Sequence, residues 1–246
     1  MIELAGKRCL ITGGSRGLGR AIACRLARGG ARVGFTYSTD DADADDARAA
    51  VVAAGAEPLV FKGSVADAAH ARAAVDAVAS AWGGLDALVC CAAITQVLPI
   101  SLLEEADWDL VMDVNVKGTY LFARAALRHM IRQKGGVIVT IGNFASERVV
   151  EAPIHYAASK SALRGLTEAL AREVGRHGVR VNLLAPGLLE QGLSQALPQH
   201  RVDEFRSQSA LGRLGRLDEV AELAAFLVSD DASFLSGAKL VADGGL

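Results

Sequence analysis

Residues 8–19 read RCLITGGSRGLG, an apolar run that ends in Thr12 and gives way to Gly13, Gly14, Gly17 and Gly19. The segment that follows, RAIACRLARGG, spaces its apolar positions at helical intervals. A strand, a glycine-rich turn and a helix start in this order make a phosphate cradle. Glycines let the backbone approach a pyrophosphate, and the first turn of the helix offers N–H groups with no partner inside the helix. The spacing is Thr-Gly-x-x-x-Gly-x-Gly, so its first turn is one residue longer than in the common Gly-x-Gly-x-x-Gly.

The same alternation continues to the end of the chain. Apolar runs at RCLIT, ARVGFTY, EPLVFK, DALVCCA, GVIVTIG, VRVNLLA and KLVA alternate with helical patterns near 16–29, 40–54, 67–82, 107–132, 155–177 and 218–228. Seven strands joined by helical crossovers predict an α/β fold, a Rossmann-type doubly wound sheet of seven parallel strands with helices on both faces. No linker, repeat or low-complexity block interrupts 1–246, which reads as a single domain. The acidic stretch DDADADDARAAVVAAG keeps helical apolar positions and reads as a solvated helix start. The segment from Gly187 to about Gln199 reads as irregular, a candidate substrate lid.

Chemistry enters with Tyr156 and Lys160 in HYAASKSALRGLTEALAREV. Four residues is a little over one helical turn, so phenol and ammonium project from one face. A nearby cation favours the phenolate and lowers the phenol pKa from about 10 toward the working pH, which suits a proton donor to a carbonyl oxygen.

Bulk properties restrict the alternatives. Hydrophobic residues make up 51% of the chain but form no run long enough to cross a bilayer. The first strand begins almost at once, which leaves no room for a signal peptide and predicts a cytoplasmic protein. Cys9, Cys24, Cys90 and Cys91 lack metal-site spacing and read as small buried residues in a reducing compartment. A net charge of −2 offers no electrostatic case for nucleic acid.

Together these motifs resemble the short-chain dehydrogenase/reductase family over nearly the whole chain, most closely its 3-oxoacyl-(acyl carrier protein) reductases. The resemblance rests on TGGSRGLGRAIA, VIVTIG, HYAASKSALRGLTEALAREV, VRVNLLAPG and LSGAKLVADGG. It implies that Tyr156 donates the proton, that Lys160 binds the nicotinamide ribose and holds the phenol pKa down, and that Asn115 in DVNVKGTYLF links Lys160 to solvent. A serine that binds the substrate carbonyl would stand thirteen residues before the tyrosine, and that position holds Asn143. The Asn143 amide retains a donor and takes the role here, with Ser146 as the alternative. The resemblance further places the cofactor against Gly13, Ser15, Arg16, Gly17, Leu18 and Gly19, against Ser38, Ser64, Val65 and Ala92, and against Pro186, Gly187 and Leu189.

Other positions depart from the family pattern. Cys90-Cys91-Ala92-Ala93 replaces Asn-Asn-Ala-Gly, Ser64 replaces an Asp that holds the adenine amine, and Gln191 stands where a Thr commonly contacts the carboxamide. The second strand ends without an acid until Asp40, while Arg16 and Ser38 or Thr39 are placed to meet a 2′-phosphate. This favours NADPH, the alternative being that Asp40 or Asp41 turns onto a ribose. Arg124, Arg128 and Arg132 line one helical face, to which Lys134, Arg172 and Arg176 could add, a patch able to receive an acidic acyl carrier protein; the alternative is a solvated surface or subunit salt bridges. The expected activity is NADPH-dependent reduction of a ketone, a 3-oxoacyl thioester or polyketide-like substrate, by a homotetramer. The alternative is a weakly active or non-catalytic subunit that partners another reductase or a carrier protein.

Overall fold

In the computed structural model, which describes residues 2–146, Arg148 and 151–246, strands β1 (Arg8–Thr12), β2 (Arg32–Tyr37), β3 (Leu59–Lys62), β4 (Ala87–Cys90), β5 (Gly136–Ile141), β6 (Val179–Pro186) and β7 (Lys239–Ala242) form one sheet. Its order is β3-β2-β1-β4-β5-β6-β7, and every pair is parallel. Helices α1 (Gly17–Arg28), α2 (Asp41–Ala53) and α8 (Leu217–Val228) accompany one face. Helices α3 (Ala68–Trp82), α5 (Gly118–Gln133) and α6 (Ile154–Val174) accompany the other. Central strands have no wet face, and β4 is buried along its whole length, which is why these strands read as unbroken apolar runs.

Strand order reverses between β1 and β4, so the loops that leave their carboxyl ends diverge and open a crevice there. Thr12 holds its rim. The hydroxyl oxygen accepts from the Cys91 N–H at 3.0 Å and the Ala92 N–H at 3.1 Å, tying the loop after β4 to the end of β1.

The helix read at 107–132 is helical from Glu105 to Gln133, with a π-turn at Asp113–Lys117 between α4 (Glu105–Met112) and α5. The Thr119 hydroxyl donates to the Asn115 carbonyl at 2.9 Å within this turn, a bond that apolar periodicity does not register. The stretch after Gly187 is more ordered than its sequence implied. A short 3₁₀ turn at Leu193–Ala196 leads into α7 (Gln199–Gln208), whose sequence QHRVDEFRSQ has only Val202 and Phe205 as apolar residues, neither fully buried. A helix without an apolar stripe carries no periodic signal. Among the described residues no helix is long and apolar enough to cross a membrane.

Candidate active site

The glycine loop is shaped by close approach. Gly13 has φ +69° and Gly17 φ +51°, both in the left-handed region. A Cβ on Gly13 would lie 2.8 Å from the Ala92 Cα, and one on Gly19 would lie 2.1 Å from the Gly13 carbonyl oxygen. Helix α1 therefore begins tight against the crevice, its first amides bare. Arg16 caps it without a side-chain bond and leaves its guanidinium 75% exposed, 3.8 Å from the Asp43 carboxylate.

A cleft of about 810 Å³ runs from this loop along the carboxyl ends of the strands. It is lined by Gly13, Ser15, Arg16, Gly17, Leu18 and Gly19, by Ser38, Ser64, Val65 and Ala92, and by Pro186, Gly187 and Leu189, together with Asn143, Tyr156 and Lys160. The positions assigned from the family resemblance thus converge on one wall. Sequence reasoning did not single out Thr36, Asp43, Ile94 or Ser194, which line it too. Cys91 does as well, and unlike the other three cysteines it is only partly buried.

The two acids that offered an alternative contact to a ribose are engaged elsewhere. Asp40 caps α2 by accepting from the Asp43 N–H at 3.0 Å. Asp41 accepts from the Tyr37 hydroxyl and from the Lys62 ammonium, each at 2.8 Å.

Helix α6 buries both Tyr156 and Lys160. The Lys160 ammonium sits 5.7 Å from the centre of the Tyr156 ring and donates to the Ile141 carbonyl at 2.8 Å. Burial dominates their proton affinities, because both charged forms lose water. It brings the Lys160 ammonium down to about 8. It pushes the Tyr156 phenol up, with the Cys91 thiol adding to the shift. This corrects the expectation that Lys160 draws the phenol down: in the chain itself burial raises it, and Tyr156 holds its proton.

Asn115 lies beneath the cleft, fully buried, and does not line it. The amide accepts from the Ile94 N–H at 2.9 Å and donates to the Ile94 carbonyl at 3.0 Å and the Ser159 hydroxyl at 2.9 Å. The side chain thereby binds the loop after β4 to the turn of α6 that carries Lys160. Asn143 has a divided amide. Its oxygen accepts from the Ala145 N–H at 2.9 Å, and its NH₂ has no hydrogen-bond partner among the described residues. The Ser146 hydroxyl donates back to the Asn143 carbonyl at 2.7 Å, and Ser146 is not part of the cleft wall.

The far wall is the stretch that follows β6. Leu188, Glu190 and Gly215 exchange backbone hydrogen bonds at 3.0 Å, and α7 folds back onto the loop that holds Asn143. The Phe205 ring meets Phe144 edge-on with centroids 5.2 Å apart, and Arg201 pairs with Glu151.

A family model described as enoyl-(acyl carrier protein) reductase matches residues 13–246. The chain is similar to the 3-oxoacyl-[acyl-carrier-protein] reductase FabG of Staphylococcus aureus strain Mu50, at 33% identity over 98% of each chain. It is also similar to the D-threitol dehydrogenase of Mycolicibacterium smegmatis, at 37% identity over 99% of this chain and 94% of that one. A short-chain dehydrogenase from Burkholderia cenocepacia, solved in complex with NADP, superposes with a TM-score of 0.92 at 40% identity, covering 99% of this chain and 98% of that one. The crevice at the strand-order switch and the agreement along the full length lead to one conclusion: the chain belongs to the short-chain dehydrogenase/reductase family.

Proposed function

We propose that the chain reduces a ketone to a secondary alcohol with NADPH. The observation that carries this reading is that Tyr156, Lys160 and the donor end of Asn143 share one cleft with a glycine loop whose backbone is bare at Gly13 and Gly19. That backbone fits a dinucleotide, since Gly13 and Gly19 let the loop fold tight against Ala92 and against its own turn, which brings the start of α1 to the cleft. When bound, NADPH supplies a hydride to the carbonyl carbon. Arg16 and Ser38 hold its 2′-phosphate: the exposed Arg16–Asp43 contact is loose, and a phosphate dianion competes well for the guanidinium. The Burkholderia relative solved with NADP supports this choice.

Catalysis then falls to three side chains. The Asn143 NH₂ donates to the carbonyl oxygen and stabilises the charge that develops there. Tyr156, protonated by virtue of its burial, gives its proton to that oxygen. Lys160 is charged below about pH 8, and its charge favours the phenolate left behind. Asn115 positions Lys160 through Ser159.

The substrate in this reading is a 3-oxoacyl thioester or a related polyketide-like ketone. Full-length similarity to the Staphylococcus enzyme supports it. So does the face of α5, where Arg124, Arg128 and Arg132 are all exposed and have no acidic partner among the described residues. Such a face suits an acidic carrier protein. The test is fluorescence titration with NADPH and NADH, followed by turnover of 3-oxoacyl thioesters and simple ketones by the parent and by Tyr156→Phe. Reduction that disappears in Tyr156→Phe is expected. A Tyr156→Phe variant as fast as the parent would remove the proton donor from this scheme.

A further inference from the structure

The turn after β6 carries a polar group that the described residues leave unsatisfied. Ser194 lines the cleft, is only 7% exposed, and has a buried hydroxyl with no hydrogen-bond partner among the described residues. Gln191 and Gln195 line the cleft as well but are exposed, whereas the Ser194 hydroxyl is shut away from water. Buried hydroxyls are rarely left without a partner, and a ligand can provide the one missing here.

Its place limits which part of a ligand that is. The Gly192 Cα lies 3.8 Å from where a Cβ on Gly17 would stand, and Gly17 is the first residue of α1. The turn at Leu193–Ala196 therefore rests over the phosphate cradle. It reaches the cradle from the end of β6, the neighbour of the strand that leads to Asn143, and so from the catalytic half of the cleft. A neutral hydroxyl at that position is a donor suited to an anionic oxygen.

We infer that Ser194 is a cofactor-binding residue whose hydroxyl donates to the diphosphate of the bound dinucleotide, at the phosphate nearer the nicotinamide. The glycine loop and the lid then grip the diphosphate from opposite sides, and the lid is held closed by the cofactor as well as by Phe205 and Arg201. This rests on the dinucleotide reading above.

Isothermal titration of the parent, Ser194→Ala and Ser194→Thr with three ligands tests it. NADPH contains the whole cofactor, 2′-phospho-ADP-ribose keeps the diphosphate without the nicotinamide, and 2′,5′-ADP stops at the first phosphate. Ser194→Ala is expected to bind the first two about tenfold more weakly and 2′,5′-ADP as the parent does, with Ser194→Thr restoring parental affinity. A loss confined to NADPH overturns the assignment, because the hydroxyl would then serve the nicotinamide. An equal loss for all three ligands also overturns it, because the substitution would then have disturbed the cleft as a whole. If the parent itself ignores 2′,5′-ADP, the NADPH reading fails, and ADP-ribose against AMP puts the same question to Ser194.

Discussion

Asn143 offers the most direct test of the catalytic scheme, because its two amide ends do different work. The oxygen holds the loop through the Ala145 N–H at 2.9 Å, while the NH₂ is the end with no partner among the described residues. Asn143→Ala removes both. The lost turn bond costs about 1 kcal/mol of stability, and the lost donor lowers kcat by about 10²- to 10³-fold, or roughly 3–4 kcal/mol in the transition state. Asn143→Asp separates the two effects. A carboxylate can still accept from Ala145, so the loop keeps its shape, but the donor is gone and a negative charge faces the developing oxyanion. Turnover in Asn143→Asp should therefore fall at least as far as in Asn143→Ala, with melting temperature close to the parent's. Asn143→Ser restores a hydroxyl donor and should retain activity or raise it. The assay is steady-state ketone reduction followed by nicotinamide absorbance, with NADPH affinity measured separately by fluorescence and expected to stay nearly constant. If Asn143→Ala reduces ketones as fast as the parent while Ser146→Ala does not, the carbonyl donor is Ser146 and the reasoning about this loop is wrong.

Three further outcomes are expected. NADPH should bind at least tenfold tighter than NADH, about 1.4 kcal/mol, and Arg16→Ala should erase most of that margin in a fluorescence titration, whereas equal affinities in the parent would defeat the argument from Arg16 and Ser38. Lys160 carries its charge below about pH 8 and loses it above, so kcat/KM for reduction should decline on the alkaline side of pH 8. Lys160→Arg, charged throughout that range, should be slower but lack this limb; a limb unchanged in Lys160→Arg would assign it to another group. Trp108, Leu110, Tyr120 and Ile131 leave apolar surface exposed on α4 and α5, as Val241 does on β7, which is consistent with a homotetramer of two-fold symmetry. Light scattering at micromolar concentration should return four times the chain mass, and a monomer mass would count against it.

Local patterns in the sequence carry the architecture. Unbroken apolar runs such as ALVC and GVIVTI need a sheet covered on both faces, and the glycines at 13, 17 and 19 stand where a side chain would collide or the backbone turns left-handed. The spacing of Tyr156 and Lys160 places them on one side of α6 because helical pitch leaves no other arrangement. These features depend on neighbours along the chain, so the sequence alone determines them. Helix α7 escaped because Val202 and Phe205 alone are too short an apolar stripe to give a periodic signal; tertiary contacts hold it, through Phe205 against Phe144 and Arg201 against Glu151. The raised proton affinity of Tyr156 was not legible in the spacing. The sequence shows the cation four residues away, but the desolvation that raises the phenol arises only when distant strands and loops close over α6. The open donor of Asn143, the buried Asn115 clamp and the unsatisfied Ser194 hydroxyl were likewise decided by tertiary structure. Each is a matter of which polar atoms find partners after folding, and those partners lie on other strands and loops.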